Sequence, residues 1–322
     1  MEISRCPEAV WRRLSQEDES CTFFQTPEWH QIAAEHFKAE SSPFLFDFNG
    51  QQAVLPLLKK RKAVFDLYFS PFGSYTALIS LEQLADDQLE AIQNFLVKKN
   101  IDLFSSPFSK NSLHLPDYSE NSTYIIPLGN LASGGITKGW KKGHRDDLRM
   151  GLKKGVTVRL AQNEKDLSRY YNLYQALCKH WGEDARATYP YSLFEKIWRN
   201  LVPSQQAKLW MAEWMGELIC AVLVFYHNLH AVAWNSAANP ELPRLYANQV
   251  IYHAIISDAK NESYSFFDFN PSPGLEGVIK FKEGFGTEQV PFHNYSNQTR
   301  LFSTATRIKN KFKSRRLGEE RS

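Results

Sequence analysis

The segment Ser265–Gly286, SFFDFNPSPGLEGVIKFKEGFG, gathers groups able to do chemistry where a strand should end. Its aromatic opening reads as a buried strand that stops at Asp268. Two prolines and a pair of glycines follow, and then Lys280, Lys282 and Glu283 stand among Ile279, Phe281 and Phe285. Flanking rings would hold the stem of Lys282 and lower the dielectric around its ammonium, which strengthens its field. Charged groups beside a desolvated cleft are functional candidates, and Lys280 shares the segment; the plain alternative is a surface lysine on a short helix. Asp268 ends its strand on the side where open α/β sheets bind ligands. It either orients a substrate amine or caps the turn made by Asn270 and Pro271. Tyr246 either donates a hydrogen bond into the same cleft or packs at a helix start.

A second group of charges lies in KGWKKGHRDDLRMGLKKG, residues 138–155, with seven cations against Asp146 and Asp147. Arg145 and Arg149 are four apart, so on a helix they point the same way. Two guanidinium groups on one spot suit a phosphate; the alternative is a solvated basic face. A further basic run, RIKNKFKSRR at 307–316, is either a soluble tail or a contact for an anionic membrane surface.

Other chemistries find no pattern. Cys6, Cys21, Cys178 and Cys220 form no C-x-x-C pair, and the nine histidines show no metal spacing such as H-E-x-x-H, so no metal is expected. The first residues, MEISRCPEAVWRRL, lack the apolar run of a secretory signal, and the longest apolar run, LICAVLVFY, falls far short of a membrane span. These features lead us to expect a cytoplasmic protein. A net charge of +3 over 322 residues implies no polyanionic partner by itself, and 43% hydrophobic residues allow an ample core in two ordinary domains or one large one.

The elements that position these groups repeat. At an offset of 166 residues, Gly50 falls on Gly216, Ser70 on Ser236, Asp102 on Asp268, Ser106 on Ser272 and Pro107 on Pro273. In each copy a strand, a glycine turn, an apolar strand (AVLPLL or LICAVLVFY), another strand, a helix and a strand follow in order. In the second copy Asp166 is expected to cap a helix ending at Gly182, and Ser192 with Glu195 to open another. Strands at 207–215, 218–227 and 229–236 come next, then a helix over 244–260, the strand Phe266–Phe269, a short helix at 277–284 and a last strand near 287–295. Antiparallel strands followed by helix and strand predict a mixed sheet with helices on both faces, an α/β (α+β) fold.

Three stretches, FFQTPEW (23–29), RDDLRMGLKKGV (145–156) and FDFNPSPGLEGVIKFKEGFG (267–286), resemble the tandem-GNAT Fem-type transferases and the related acetyltransferase-like family of bacterial polysaccharide gene clusters. The resemblance implies two GNAT-like domains, at 1–130 and 161–300, with a basic linker and entry to the second domain at 131–160 and a basic C-terminal tail at 301–322. It implies direct transfer of an acyl or aminoacyl group to an amine or hydroxyl, with Lys282 stabilising the developing charge, and it independently marks Arg145 and the residues after it. It places Asp102 at the acceptor. No cofactor is expected to be tightly bound, and the donor is either aminoacyl-tRNA or acyl-CoA. The acceptor is a cell-envelope precursor or exopolysaccharide unit, nucleotide- or lipid-linked. The connection NPELPRLYANQ (239–249) lacks the glycine with which GNAT enzymes cradle a pyrophosphate, which favours the Fem-like donor. A GNAT-like scaffold that binds an anionic partner without catalysis is the alternative of another class.

Overall fold

The computed structural model describes residues 1–129, 131, 135–182, 188–272 and 274–299; the basic run at 307–316 lies outside them. The described residues divide into two compact units, Met1–Glu120 with those from Phe292 to Thr299, and Asn121–Pro291. The divisions fall at Glu120 and Pro291 rather than at 130, 160 and 300.

The first unit opens with β1 (Glu2–Arg5), α1 (Glu8–Glu17) and α2 (Pro27–Phe37). The start of α2 is fixed by Thr26, whose side chain accepts the Trp29 N–H, and by Pro27 in the first turn. Strands β2 (Glu40–Ser41), β3 (Phe44–Phe48), β4 (Gln51–Leu55), β5 (Leu58–Lys62) and β6 (Phe65–Phe69) lead to α3 (Asp86–Leu96) and β7 (Asn100–Phe104). The stretch AVLPLL is not one strand. Pro56 has no N–H for a ladder, so β4 ends before it and pairs in a sheet β1-β3-β4, whereas β5 begins after it and joins β2, β6 and β7 in another. The end of the final strand, β14 (Glu288–Asn297), returns to pair with β7 and sets Tyr295 in a core with Phe46, Leu55 and Ile101.

The second unit takes in β8 (Tyr118–Pro127), α4 (Lys142–Lys153), β9 (Thr157–Leu160), α5 (Glu164–Trp181) and α6 (Tyr191–Leu201). Strands β10 (Ala207–Trp214), β11 (Glu217–His227) and β12 (His230–Ala238) form the expected meander. After it come α7 (Ala247–Asn261), β13 (Phe266–Asp268) and α8 (Glu276–Glu283). The strand order is β8-β13-β12-β11-β10-β9, antiparallel except for β12 with β13. Alternation along β11 and β12 sends Val222, Val224, Ala231 and Ala233 into a core with Val250, Ile251 and Ile255 of α7. Phe225 and Trp234 face the other way, towards Phe194 of α6. The sheet is therefore sandwiched between α7 and the α5–α6 pair.

Residues 142–153 are a packed helix of the second unit. Leu148 is buried, and Gly151 lies so close to Val250 and to the Leu245 and Tyr246 carbonyls that a Cβ there would press on all three. The helix starts also differ from expectation. Asn163 caps α5 by accepting the Asp166 N–H, because the Asp166 carboxylate is committed to a two-pronged pair with Arg159 at 2.7 and 2.8 Å. Pro190, not Ser192, stands before α6.

Candidate active site

Strands β12 and β13 run side by side for three residues only, His230–Val232 against Phe266–Asp268. β12 then continues to Ala238 while β13 stops, so beyond Asp268 the sheet opens. A bulge adds to the divergence: Val224 pairs Ala233 and Leu223 pairs Asn235, leaving Trp234 as the extra residue. In the opening lies a cavity of about 370 Å³. Its walls include Trp181 at the end of α5, Trp234 and Asn235 of β12, Asn248 and Tyr252 of α7, and Lys282 of α8. Contributions from helices on both faces show that it reaches through the sheet.

Lys282 is the charged residue among the described residues that line this cavity. It is 4% exposed, and its Nζ donates to the Ser272 hydroxyl at 2.7 Å and to the Asn270 carbonyl. An ammonium carries three donors, so one remains for a ligand. Burial pulls its pKa from 10.5 to about 8, against an opposing pull from the Asp268 carboxylate. Asp268 is fully buried, with Oδ1 accepting from the Thr123 hydroxyl at 2.6 Å and from the Asn270 N–H at 2.8 Å. It therefore holds the turn that carries Asn270 and Ser272 under Lys282, and the cap and the charge partner are one group.

Two glycines fix the end of α8. A Cβ on Gly284 would strike the His144 ring, whose Nε2 donates to the Phe281 carbonyl at 2.9 Å. A Cβ on Gly286, with φ at +72°, would strike the Gly139 backbone. The G-F-G ending is thus required by the close approach of residues 139–144, with Phe285 packed edge-on to Trp140 at 4.7 Å.

The other expected site residues are placed elsewhere. Lys280 is exposed and outside the cavity lining. Arg145 donates to the Trp140 carbonyl and Arg149 pairs with Asp146, so the two guanidinium groups serve separate local contacts rather than one spot. Tyr246 starts α7 in a left-handed conformation with Lys154 over its ring at 5.0 Å, away from the cavity walls. Asp102 is exposed in the first unit, the last residue of the parallel pairing of β6 and β7 as Asp268 is of β12 and β13. Sequence reasoning missed Asn235, Ser236, Asn248, Tyr252 and Trp181. The signal for the first two was present: polar residues breaking an apolar run, AVAWNS, in a central strand. Among the described residues no cluster of His, Cys, Asp or Glu could hold a metal, and no helix is long and apolar enough to cross a membrane.

Residues 141–283 match the family described as acetyltransferase (GNAT) domain. The second unit is a GNAT domain. Over its length the chain is similar to the crystal structure of FemX, with a TM-score of 0.70 at 13% identity, covering 92% of this chain and 98% of that one. It is also similar to the C-terminal domain of a putative lysylphosphatidylglycerol synthetase from Agrobacterium fabrum (TM-score 0.54, 10% identity, 86% and 94% covered). A GNAT-family acetyltransferase from Colwellia psychrerythraea gives 0.54 at 10% identity, with 92% and 100% covered. No curated protein matches the chain. These likenesses establish the fold, two tandem GNAT-like units, and the GNAT domain supports a transferase.

Proposed function

We propose that the second unit transfers an acyl or aminoacyl group directly to an amine or hydroxyl of a cell-envelope precursor or exopolysaccharide unit. The observation that carries this reading is Lys282, a buried ammonium with a spare donor in the wall of a cavity opened by the sheet. An amine attacking an ester carbonyl forms a C–N bond and pushes the carbonyl electrons onto oxygen. The C–O bond to the leaving group then breaks, and the amine proton passes to the departing oxygen. A fixed cation at the developing oxyanion lowers this barrier without reorganising. A thiol intermediate is disfavoured, because burial pushes the Cys220 thiol up to about 12 and its Sγ donates to Asn248.

The start of α7 bears on the donor. Residues 239–249 hold no glycine, and the end of α4 closes over this backbone, with Lys154 donating to the Arg244 carbonyl at 2.6 Å and Gly151 against Leu245 and Tyr246. Both features disfavour a pyrophosphate there and favour an aminoacyl-tRNA donor. The family description favours the second reading, an acyl-CoA donor. Calorimetric titration with acetyl-CoA, longer acyl-CoAs, and charged and uncharged tRNA separates the two. Saturable binding of charged tRNA alone is expected. Saturable acyl-CoA binding moves the protein to the second reading, and binding of neither defeats both.

A further inference from the structure

Among the groups lining the cavity are hydrogen-bond donors whose direction is fixed from behind, beside one buried acceptor, Asn270 Oδ1, that has no partner among the described residues. Asn235 Oδ1 accepts from the hydroxyl of Tyr170, a fully buried residue of α5. Asn248 Oδ1 accepts from the Cys220 thiol, on the other face of the sheet, at 3.2 Å. A carboxamide holds its oxygen and its NH₂ in one plane, diverging from the carbonyl carbon, so an oxygen occupied from the core turns the NH₂ away from that donor. Both residues line the cavity. Lys282 adds the remaining donor of its ammonium. Asp268 is buried outside the lining, and the described lining residues include no carboxylate.

Two amide NH₂ groups and an ammonium, set among Trp181, Trp234 and Phe281, present donors and positive charge on an aromatic frame. An oxyanion satisfies such a set; a cation leaves every donor unpaired and meets Lys282 with like charge. We infer that this cavity binds a substrate moiety bearing a carboxylate or phosphate beside an apolar or aromatic body, with Asn235 and Asn248 as its specificity-determining residues. The inference deepens the transferase reading by naming the chemistry of the group taken at that site, but its test needs no turnover. Failure here leaves acyl transfer standing, and a protein inactive in transfer still binds the anion.

The test is NMR of the ¹⁵N-labelled full chain, following the side-chain amide resonances of Asn235 and Asn248. The probes are phenylacetate, phenyl phosphate, the neutral phenylacetamide and the cationic phenethylamine. The anions are expected to shift both amides and to bind at least about tenfold more tightly than either other probe. The tighter of the two anions names the group. The isosteric changes Asn235→Asp and Asn248→Asp replace donors with a carboxylate and are expected each to weaken anion binding by about tenfold or more. Amine or neutral amide binding as tight as the anions overturns the inference. So does the absence of anion-induced shifts up to about 10 mM, or anion affinity unchanged in both variants. The unsubstituted protein supplies the first two outcomes, so the inference stays falsifiable if a variant fails to fold.

Discussion

Replacing Lys282 with methionine is expected to lower transfer by about 10²–10³-fold while the protein stays folded. The size follows from removing one preorganised charge from a water-poor site, and methionine keeps the length and apolar stem of the lysine. A steady-state assay with the donor identified by titration, together with circular dichroism, checks it. Activity within a few-fold of the parent would place the charge stabilisation elsewhere. The same residue leaves a second mark. Its pKa is about 8 in the fold against an ordinary 10.5, so between those values the unfolded chain binds more protons than the folded one. Stability therefore rises with pH across that window, is level above it, and carries the full burial cost below about 8, an effect of roughly 3 kcal/mol at most. Urea midpoints measured from pH 7.5 to 10.5 should climb in the parent and lose that climb in Lys282→Met. A parent midpoint that does not rise would mean that Lys282 is solvated.

How much of this was legible in the sequence depends on whether the determining contact was local. The hairpin turns at Gly50 and Gly216 were legible because each takes a positive φ, at 102° and 83°, a local demand of the turn. Lys282 was legible because phenylalanines flank it in the chain. Asp268 was legible as a strand end with a turn, although its pull on Lys282 spans fourteen residues and a fold. The expected phosphate pair shows the converse. Helical spacing brings Arg145 and Arg149 to one face, but each guanidinium found a nearer acceptor, the Trp140 carbonyl and Asp146. Asp166 looked like a cap until Arg159, on a neighbouring strand, claimed its carboxylate. The cavity itself was hidden, because the place where β12 and β13 part is set by pairing register and a bulge at Trp234, neither of which has a local residue code.

The glycines after Lys282 yield the other large effect, one that separates two reasons for a small residue. Gly286→Ala forces a Cβ onto a left-handed backbone and against the Gly139 backbone, and neither yields by a side-chain rotation. The left-handed conformation costs about 1–2 kcal/mol and the overpacking about 1–3 kcal/mol, so a loss of roughly 2–5 kcal/mol is expected. Gly284→Ala meets a side chain instead, the His144 ring, at an ordinary helical φ of −60°. About 1–3 kcal/mol is expected there, and His144→Ala in the same chain should restore much of it, because the ring is what the new methyl strikes. The same His144 change should do nothing for Gly286→Ala. Denaturant midpoints of the three single and two double variants complete both cycles. Equal rescue of both glycines, or of neither, would show that the end of α8 is not held by the contacts described. Because Lys282 sits in the last turn of this helix, a displacement of about 1 Å there is expected to cost transfer on the order of 10²-fold. Gly284→Ala should therefore lose more activity than its stability loss alone explains, and the His144 change should leave that deficit in place if the Nε2 contact to Phe281 is what aims the lysine.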